Sequence, residues 1–411
     1  MLARANSRKK VWHLSFDQRM AVTYFALIAV LPLLALSRGG GYWLLIGERA
    51  VIFAIAALSL ELLIGAGGLV SFGHAAFLGI GAYAAGILAS HGFGTLSMAL
   101  PAALVAAAAF ALATGAIAVR TRGVYFIMIT LAFAQMAFFI ATSLAPYGGD
   151  DGLSWPTRTT VFATHILKNE TAFYYVNLAL LIATYVCLTR LLGSRFGRVL
   201  RALKDNETRM QAIGFTPYFY RLSAYVIAGT LCGAAGFLLG NQAEFVSPAY
   251  MHWQRSGELI IMVLLGGTGT LFGPMFGALA FLVLEDVLSH LTEHWKVLLG
   301  PALVLIALFA SGGIAGAIAH WRQPEGAVVR LAGAYSKLSH HLRASGMLRP
   351  SRWRDLSNSL SLQAAPRIEW MAERARACWQ TGKRAFRGGQ RRLPALTQRG
   401  LKTTIARWWR P

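Results

Sequence analysis

The feature that most constrains this chain is residues 58–88, which read LSLELLIGAGGLVSFGHAAFLGIGAYAAGIL. This stretch is almost wholly apolar and long enough to cross a bilayer and turn back, because about 20 apolar residues span the hydrocarbon core as a helix. Seven glycines interrupt it, and glycines allow helices to approach closely or to break. It also contains Glu61, Ser71 and His74. Polar and ionisable groups are costly at membrane depth and usually face a cavity or a neighbouring helix. The stretch therefore predicts a discontinuous helical segment beside a polar pathway.

The composition is that of a membrane protein. Of the 411 residues, 56% are hydrophobic and 14% are charged, whereas soluble domains contain about 25% charged residues. The three cysteines, Cys187, Cys232 and Cys378, suggest neither a disulfide framework nor a metal site. Residues 20–36 form an apolar run that is longer than the core of a signal peptide, about 7–15 residues. We therefore interpret this run as a retained first span.

The apolar runs predict an all-α polytopic fold with about ten transmembrane helices, and a count of eight also fits. Each run has the length of a membrane-spanning helix, roughly 17–25 residues. The candidates are residues 20–37, 49–66, 68–90, 97–119, 123–145, 172–192, 220–241, 256–273, 274–291 and 296–314. Glycines divide 49–90 and 256–291, so we expect broken or re-entrant helices there.

The positive charges predict the orientation. With ten spans, the Lys/Arg clusters before the first span, after the fourth, after the sixth and after the last all fall on one side. Such clusters mark the cytoplasmic side, so both termini are predicted to be cytoplasmic. The predicted organisation is a cytoplasmic segment (1–19), a transmembrane domain (20–314) and a basic cytoplasmic tail (315–411), part of which we expect to be disordered.

The tail differs in kind from the rest of the chain. Residues 322–411 contain 19 Lys/Arg and four Asp/Glu, which is +15 of the total net charge of +22. Arginines mixed with tryptophans suit the headgroup region of an anionic membrane, which attracts basic residues. Nucleic-acid binding is a second interpretation, although no nucleic-acid-binding fold motif supports it. A disordered tail without a function is the third.

The segment 193–218, GSRFGRVLRALKDNETRMQAIGFTPY, predicts a short amphipathic helix in a basic loop. Its apolar residues recur at helical spacing, and Gly214 and Pro217 are expected to end the helix. Such a helix must cover its apolar face, either on lipid headgroups or on a protein partner. Composition alone leaves both possibilities open.

Nothing in the chain predicts catalysis, a bound cofactor or a metal site. The sequence GGTGTLFGP resembles a phosphate-binding loop only in its glycines, because it lacks the G-K-[ST] ending that would hold nucleotide phosphates and Mg²⁺. The ten histidines have no metal-ligand spacing backed by cysteine or carboxylate. No Ser/His/Asp arrangement has a suitable context.

Five motifs in order give the chain a resemblance to a known family. They are SFGHAAFLGIGAY, RTRGVYFIMITLAFAQ, GGDDGL, FGRVLRALKDNETRMQAIG and GELIIMVLLGGTGTLFGPMFGA. Together they resemble the permease subunits of branched-chain amino acid ABC importers, and specifically the second, M-type, of the two paired permeases. The resemblance covers residues about 50–313. It implies a bacterial inner-membrane protein that works with a homologous permease, two ATPase subunits and a periplasmic substrate-binding protein.

The resemblance also implies roles for particular residues. The loop helix would be the coupling helix, which seats in a groove on the ATPase subunit. The family pattern falls on Glu207, Ala212 and Gly214, although Thr208 follows Glu207 where the family has alanine. The complete set of coupling candidates is Gly197, Asn206, Glu207, Arg209, Ala212 and Gly214.

Several residues are candidates for the substrate pathway, and they are Glu61, Gly68, Ser71, His74, Gln135, Gly266 and Gly267. Glu61 stands where the resemblance implies a neutral amide. Its carboxyl group could meet a substrate ammonium, pair with His74 or stay protonated. His74 could instead serve only as a structural hydrogen-bonding group, and Gln135 could bond between helices.

The sequence leaves the transported substrate and the transport class open. Branched-chain amino acids are the first expectation, and urea, short amides and aromatic acids are alternatives, because related permeases handle them. An ion-coupled secondary transporter with a Glu61–His74 relay is a rival of another class. A membrane anchor or receptor with a basic effector tail is the rival outside transport.

Overall fold

The computed structural model describes residues 16–37, 41–156, 158–160, 169–291, 294, 297, 300 and 312–316. These residues are mostly helical. The helices are α1 (Phe16–Ser37), α2 (Gly41–Glu61), a π-helical turn (Leu62–Gly67), α3 (His74–Ser90), α4 (Leu96–Ala118), α5 (Val124–Ser143), α6 (Glu170–Gly193), α7 (Arg195–Asp205), α8 (Glu207–Ala212), α9 (Pro217–Ala243), α10 (Trp253–Gly266) and α11 (Gly273–Leu291). Two short 3₁₀ turns (Ala145–Tyr147 and Pro248–Met251) and strands β1 (Leu153–Ser154) and β2 (Phe245–Val246) lie in the connections.

Five of the described helical segments are long and apolar enough to cross a membrane. They are Gly41–Gly67, Leu96–Ala118, Val124–Ser143, Glu170–Gly193 and Pro217–Ala243. The shorter helix α3 is also apolar. The prediction of a helical polytopic protein is therefore confirmed in its coarse form. Most of the predicted last span (296–314), most of the N-terminal segment (1–19) and nearly all of the tail (315–411) lie outside the described residues.

Helix α2 lies at the centre of the described bundle. Almost every residue from Ala50 to Glu61 is inaccessible, because α1, α6, α9, α10 and α11 all pack against this helix. Helices α4, α5 and α6 leave most of their surface exposed. Since every face of residues 50–58 contacts protein, this part of α2 is apolar all round and lacks the stripe of an amphipathic helix.

Helices α3 and α9 cross at glycines, which permits an unusually close approach. A Cβ at Gly236 would collide with the carbonyl group of Leu78, and a Cβ at Gly81 would collide with that of Gly233. Without a large hydrophobic driving force between helices in lipid, close backbone packing at small residues is a major source of stability. These glycines therefore fix the α3–α9 contact.

Both predicted breaks are present. The α2 helix widens into the π-helical turn and is followed by non-helical residues 68–73 before α3 begins. Helix α10 has 14 residues, which gives about 21 Å of helix and is too short to cross the hydrocarbon core alone. A turn at 267–272 then connects it to α11. Non-helical residues thus interrupt the helices at both predicted places.

Contacts between the connecting loops define two ends of the bundle. The loop 193–218 is named here the coupling loop, after the role that the resemblance implies, and the end where it lies is named the coupling end. This end contains residues 62–73, 119–123, 194–216 and 267–272, which are joined through Lys204, Glu207 and Glu61. The opposite end contains 144–156 and 244–252, where β1 and β2 pair as antiparallel strands with Leu153 opposite Val246. This two-residue ladder is a small departure from the predicted all-α fold.

Candidate functional site

The break after α2 is held by a lysine from the coupling loop. The π-helical turn ends at Gly68, whose φ of 67° is left-handed and suits glycine. Lys204 of α7 lies against Gly68. Its Nζ donates hydrogen bonds to the carbonyl oxygens of Gly65 at 2.8 Å and Ile64 at 3.4 Å. Because helix C-termini leave carbonyl groups unpaired and attract cations, Lys204 is a natural cap. It joins the coupling loop directly to the broken helix.

Glu61 connects this break to the one between α10 and α11. Its side chain is buried, with 3% of the residue exposed, and its Oε1 accepts a hydrogen bond of 2.6 Å from the backbone N–H of Gly269. Its Oε2 has no hydrogen-bond partner among the described residues. Gly65 packs directly on the carboxyl group, where any side chain would collide with it. Glu61 therefore bridges the two discontinuities.

His74 begins α3 and is completely buried. Its Nε2 lies 2.8 Å from the hydroxyl oxygen of Ser59, and that hydroxyl donates to the carbonyl oxygen of Ala56 at 2.7 Å. Because the single hydroxyl proton is used there, we assign Nε2 of His74 as the donor. Its Nδ1 has no partner among the described residues. The Glu61–His74 pair considered from the sequence is not formed, since Glu61 bonds to Gly269.

Other polar groups hold the start of α3 in place. Ser71 is buried, and its hydroxyl accepts from the N–H of Gly73 at 3.3 Å. Ser256 of α10 accepts from the N–H of Ala75 at 3.0 Å, so it caps one of the free N–H groups at the beginning of the helix. Thr130 of α5 accepts from the N–H of Phe72 at 3.3 Å. This region is a polar junction of α3, α5 and α10.

Gln135 was expected to bond between helices. Its Nε2 is buried and has no hydrogen-bond partner in the described part of the chain. Gly266 and Gly267 lie at the end of α10, and Gly267 has a φ of 101°. A Cβ at Gly267 would collide with the backbone of Gly312, so this turn also requires glycine for close packing.

The coupling loop contains two helices where the sequence predicted one. Asn206 has an extended backbone (φ −157°, ψ 97°) that separates α7 from α8. Its side chain accepts from the N–H of Arg209 at 2.9 Å, which is the N-cap interaction that asparagine favours. The prediction of a continuous helix was wrong because this capping was overlooked. The end of the helical segment was correct, since Gly214 has a φ of 98°.

The coupling loop buries three of its apolar side chains inside the chain. Leu200, Leu203 and Met210 are buried. Ile213 is 65% exposed, and the coupling candidates Arg209, Ala212 and Gly214 are exposed beside it. The surface of residues 209 and 211–214, named here the 209–214 face, is therefore available to a partner. Gly197 is buried against the end of α6, so it serves packing within the chain.

Glu207 is engaged within the chain and does not extend outward. Its Oε1 lies 2.6 Å from a guanidinium nitrogen of Arg122, which follows α4, and its Oε2 lies 2.8 Å from that of Arg221 in α9. Only 12% of its side chain is exposed. The carboxylate thus fixes α8 against α9 and against the loop between α4 and α5, and it holds the 209–214 face in position indirectly.

Sequence reasoning missed several of the residues that build this site. Lys204, Arg122 and Arg221 were treated only as markers of the cytoplasmic side, although a lone carboxylate among many cations is a signal for ion pairing. Ser59 and Ser256 gave no signal, because a serine in an apolar helix commonly bonds to its own backbone. The described residues contain no group of three or more metal-ligating side chains.

Comparison with known proteins agrees with this geometry. Residues 44–320 match the family described as the branched-chain amino acid transport system permease component. The chain is 27% identical over 295 residues to LivM of Escherichia coli, covering 66% of this chain and 69% of LivM. It is 26% identical over 323 residues to LivM of Salmonella typhimurium, covering 72% and 75%.

A third relative is BraD of Pseudomonas aeruginosa, with 24% identity over 284 residues, 64% of this chain and 91% of BraD. LivM and BraD are named as permease proteins of high-affinity branched-chain amino acid transport systems. No solved structure matches the chain. Because the family match covers about two-thirds of the sequence and includes both breaks and the coupling loop, this chain belongs to the branched-chain amino acid transport system permease family.

Proposed function

We propose that this chain is one permease subunit of an ABC importer for branched-chain amino acids. It would work with a second homologous permease, receive its substrate from a periplasmic binding protein and be driven by two separate ATPase subunits. The names of its relatives support this assignment of substrate. The resemblance of the loop 193–218 to a coupling helix supports the proposal that ATP hydrolysis by separate subunits drives transport.

The observation that carries the proposal is the continuous set of contacts from the coupling loop to the two breaks. The 209–214 face is exposed, α8 is fixed by Glu207, and Lys204 of the same loop bonds to Gly65. Glu61, four residues before Gly65, then bonds to Gly269. A displacement of the loop would therefore move both discontinuous segments together, through direct physical contacts.

This arrangement suits alternating access driven from outside the membrane domain. ATP binding would bring the ATPase subunits together and shift the 209–214 face. Ser194 caps the start of α7, and Asn206 both ends α7 and caps the start of α8. Because the two helices are joined directly at Asn206, a shift of α8 would also move α7. Breaks in membrane helices give local freedom where substrate pathways lie. We propose that Gly68, Gly266 and Gly267 provide that freedom, and that Ser71, His74 and Gln135 lie beside the pathway.

The proposed location is the bacterial inner membrane, with ten spans and both termini in the cytoplasm. The basic clusters at 190–209 and 120–122 lie at the coupling end of the bundle, as the positive-inside rule requires of a cytoplasmic side. The separate ATPase subunits would bind there.

Leucine uptake in the organism that encodes the chain tests the proposal. Deleting the gene is expected to lower high-affinity uptake of radiolabelled leucine, and a plasmid copy is expected to restore it. Depleting ATP while the ion gradient is maintained should stop uptake. Urea uptake unaffected by the deletion would support the amino-acid assignment. Loss of urea uptake with normal leucine uptake would contradict it, and uptake that follows the ion gradient would favour the secondary transporter.

We expect Glu61→Gln to retain abundance and uptake close to wild type. The amide oxygen of glutamine can accept the same hydrogen bond from Gly269, and the second carboxylate oxygen has no partner among the described residues. Uptake and membrane abundance measure the effect. The matched variant Glu61→Leu removes the acceptor and leaves a buried N–H unpaired, which costs about 1–3 kcal/mol. Complete loss of uptake in a normally abundant Glu61→Gln protein would make Glu61 a substrate or proton ligand.

The tail is proposed to bind anionic lipid at the cytoplasmic surface. A protein truncated after residue 320 is expected to keep transport and to bind vesicles rich in anionic lipid more weakly than the full chain. This difference should shrink as salt rises, because charges are screened over about 10 Å at 0.1 M. Competition between vesicles and single-stranded RNA at fixed ionic strength shows which of these two polyanions the tail binds. Preference of the full chain for RNA, with no tail-dependent vesicle binding, would contradict the proposal.

A further inference from the structure

A cavity at the opposite end of the bundle, remote from the coupling loop, has two cationic side chains in its wall. Its volume is about 260 Å³, and it lies between α2, α3, α9 and the start of α10. The lining residues are Leu45, Arg49, Phe53, Leu78, Leu239, Gln242, Ala243, Tyr250 and Arg255. Ligand pockets commonly measure about 300–1,000 Å³, so this cavity suits a molecule of amino-acid size.

Arg49 is the unusual residue in this cavity. It lies in the third turn of α2, directly after the buried Glu48, and a long apolar run follows it in the same helix. None of the ion pairs formed by the described residues includes Arg49. Arg255 is paired with Glu258 at 2.7 Å and retains further donor positions. Arg49 is half-buried in the cavity wall without a carboxylate of the described residues at ion-pair distance, so its donors are available to an anionic group of a ligand.

The remaining polar groups at the cavity can accept hydrogen bonds from the ammonium group of a zwitterion. Nε2 of Gln242 donates to a carboxylate oxygen of Glu48 and to the carbonyl oxygen of Leu45, both at 3.2 Å. Both amide protons are therefore used, and the amide oxygen stays available as an acceptor. Glu48 is 2% exposed, and its second oxygen has no partner among the described residues. An ammonium group beside Gln242 would be attracted both by the amide oxygen of Gln242 and by the carboxyl group of Glu48.

Tyr250 supplies a hydroxyl group that the two arginines influence. Burial raises the pKa of this phenol, and the positive charges of Arg255 and Arg49 act in the opposite direction. Both arginines line the same cavity as Tyr250, so its wall is positively charged on this side. Leu45, Phe53, Leu78 and Leu239 form the apolar part of the lining, which would accommodate an aliphatic side chain.

We infer that this cavity binds the substrate as it enters from the external side, with Arg49 and Arg255 holding its carboxylate and the leucine-rich wall holding its side chain. The choice of ligand rests on the proposed function. Arginine is suited to this task because its planar fork of donors matches a carboxylate. Glu48, through Gln242, would favour a zwitterion over a simple anion. Neither arginine belongs to the coupling machinery, so the site is separate from the contacts described above.

Chemical footprinting of the purified full chain tests the site without relying on transport. Phenylglyoxal modifies arginine side chains, and peptide mass spectrometry gives a rate for each one. L-Leucine and isocaproate, which lacks the amino group, are expected to slow modification of Arg49 and Arg255. Isoamylamine, which lacks the carboxylate, is expected to have no effect. Exposed Arg209 at the coupling end serves as the internal control, whose rate should not change.

Three results would overturn the inference. They are unchanged rates at Arg49 and Arg255 in saturating leucine and isocaproate, equal protection by isoamylamine, and protection only by anionic phospholipid. The last would identify a site for lipid headgroups. Since wild-type protein is used, a folding defect in a variant does not affect the result.

A variant then links the site to uptake. Arg49→Gln is expected to lower the maximal rate of leucine uptake by about ten- to hundred-fold, the range for losing one charge-assisted hydrogen bond. The maximal rate is the measure because the binding protein sets the leucine concentration for half-maximal uptake. Arg49→Lys, which keeps the charge, should recover part of the loss. An unaltered maximal rate in an Arg49→Gln protein of normal abundance would contradict the site while leaving the proposed function intact. If the wild type takes up no leucine, the proposed function is wrong, and the footprint with isocaproate still decides whether the cavity binds carboxylates.

Discussion

Replacing Gly236 by leucine is expected to leave almost no folded protein in the membrane. Gly236 lies where α9 crosses α3, and even a Cβ there would collide with the carbonyl group of Leu78. Overpacking against side chains costs about 1–3 kcal/mol and occasionally more. At Gly236 the added side chain would collide with backbone atoms of α3, and these can move away only if α3 and α9 separate. Since total stabilities are about 5–15 kcal/mol, we expect a large loss, measured as membrane abundance and as thermal unfolding of purified protein.

Gly257→Leu is the matched control for this prediction. Gly257 lies inside α10, has an ordinary helical backbone, and no heavy atom would lie within 4 Å of its added Cβ. Leucine also favours helix over glycine by about 0.5–1 kcal/mol. We therefore expect abundance equal to or above wild type. Equal damage from the two substitutions would show that the α3–α9 crossing is not the constraint that the structure indicates.

Glu207→Lys is expected to uncouple the permease from its ATPase subunits while the protein stays inserted. The substitution removes two ion pairs, at 2.6 Å to Arg122 and 2.8 Å to Arg221, and places a third cation between them. Losing a hydrogen bond to a charged group costs about 1.5–3 kcal/mol, which corresponds to about ten- to hundred-fold in ATPase affinity if α8 must be held for docking. Co-purification of the ATPase subunits and leucine uptake measure the effect.

Two further variants sharpen this experiment. Adding Arg221→Glu to Glu207→Lys restores an opposite-charge pair and should recover part of the binding. Gly214→Pro should uncouple independently, because Gly214 has a φ of 98° and proline fixes φ near about −65°. If ATPase binding and uptake persist at wild-type levels in both Glu207→Lys and Gly214→Pro, the assignment of the coupling loop is wrong.

The sequence predicted the membrane class, the two breaks and the loop 193–218 for clear physical reasons. Hydrocarbon excludes unpaired backbone groups, so long apolar runs must be helices. Glycines at 65–68 and 266–273 are expensive inside an ordinary helix, and they indicated the breaks. The loop was identified by its basic charge and helical spacing. Its division at Asn206 was missed because a capping asparagine and a mid-helix asparagine look alike without knowledge of the backbone.

The contacts across the structure could not be predicted in this way. Glu61 was recognised as exceptional, but its bond to Gly269 joins residues 208 positions apart. A pair with His74 was one of three possibilities for Glu61, and His74 bonds instead to Ser59. The choice among several nearby polar partners depends on helix rotation and depth, and no local pattern in an apolar helix records either quantity.

The sequence by itself determined that this chain is a helical membrane protein of the branched-chain permease family, because hydropathy, charge asymmetry and motif order are local properties. Only the tertiary structure decided that Lys204 caps the broken helix, that Glu207 is held between Arg122 and Arg221, and that Arg49 shares a cavity with Arg255. These pairings depend on how α2, α7, α9 and α10 pack. That packing is set by close glycine contacts whose partners are distant in sequence, so the function of each charged residue became apparent only once the helices were in place.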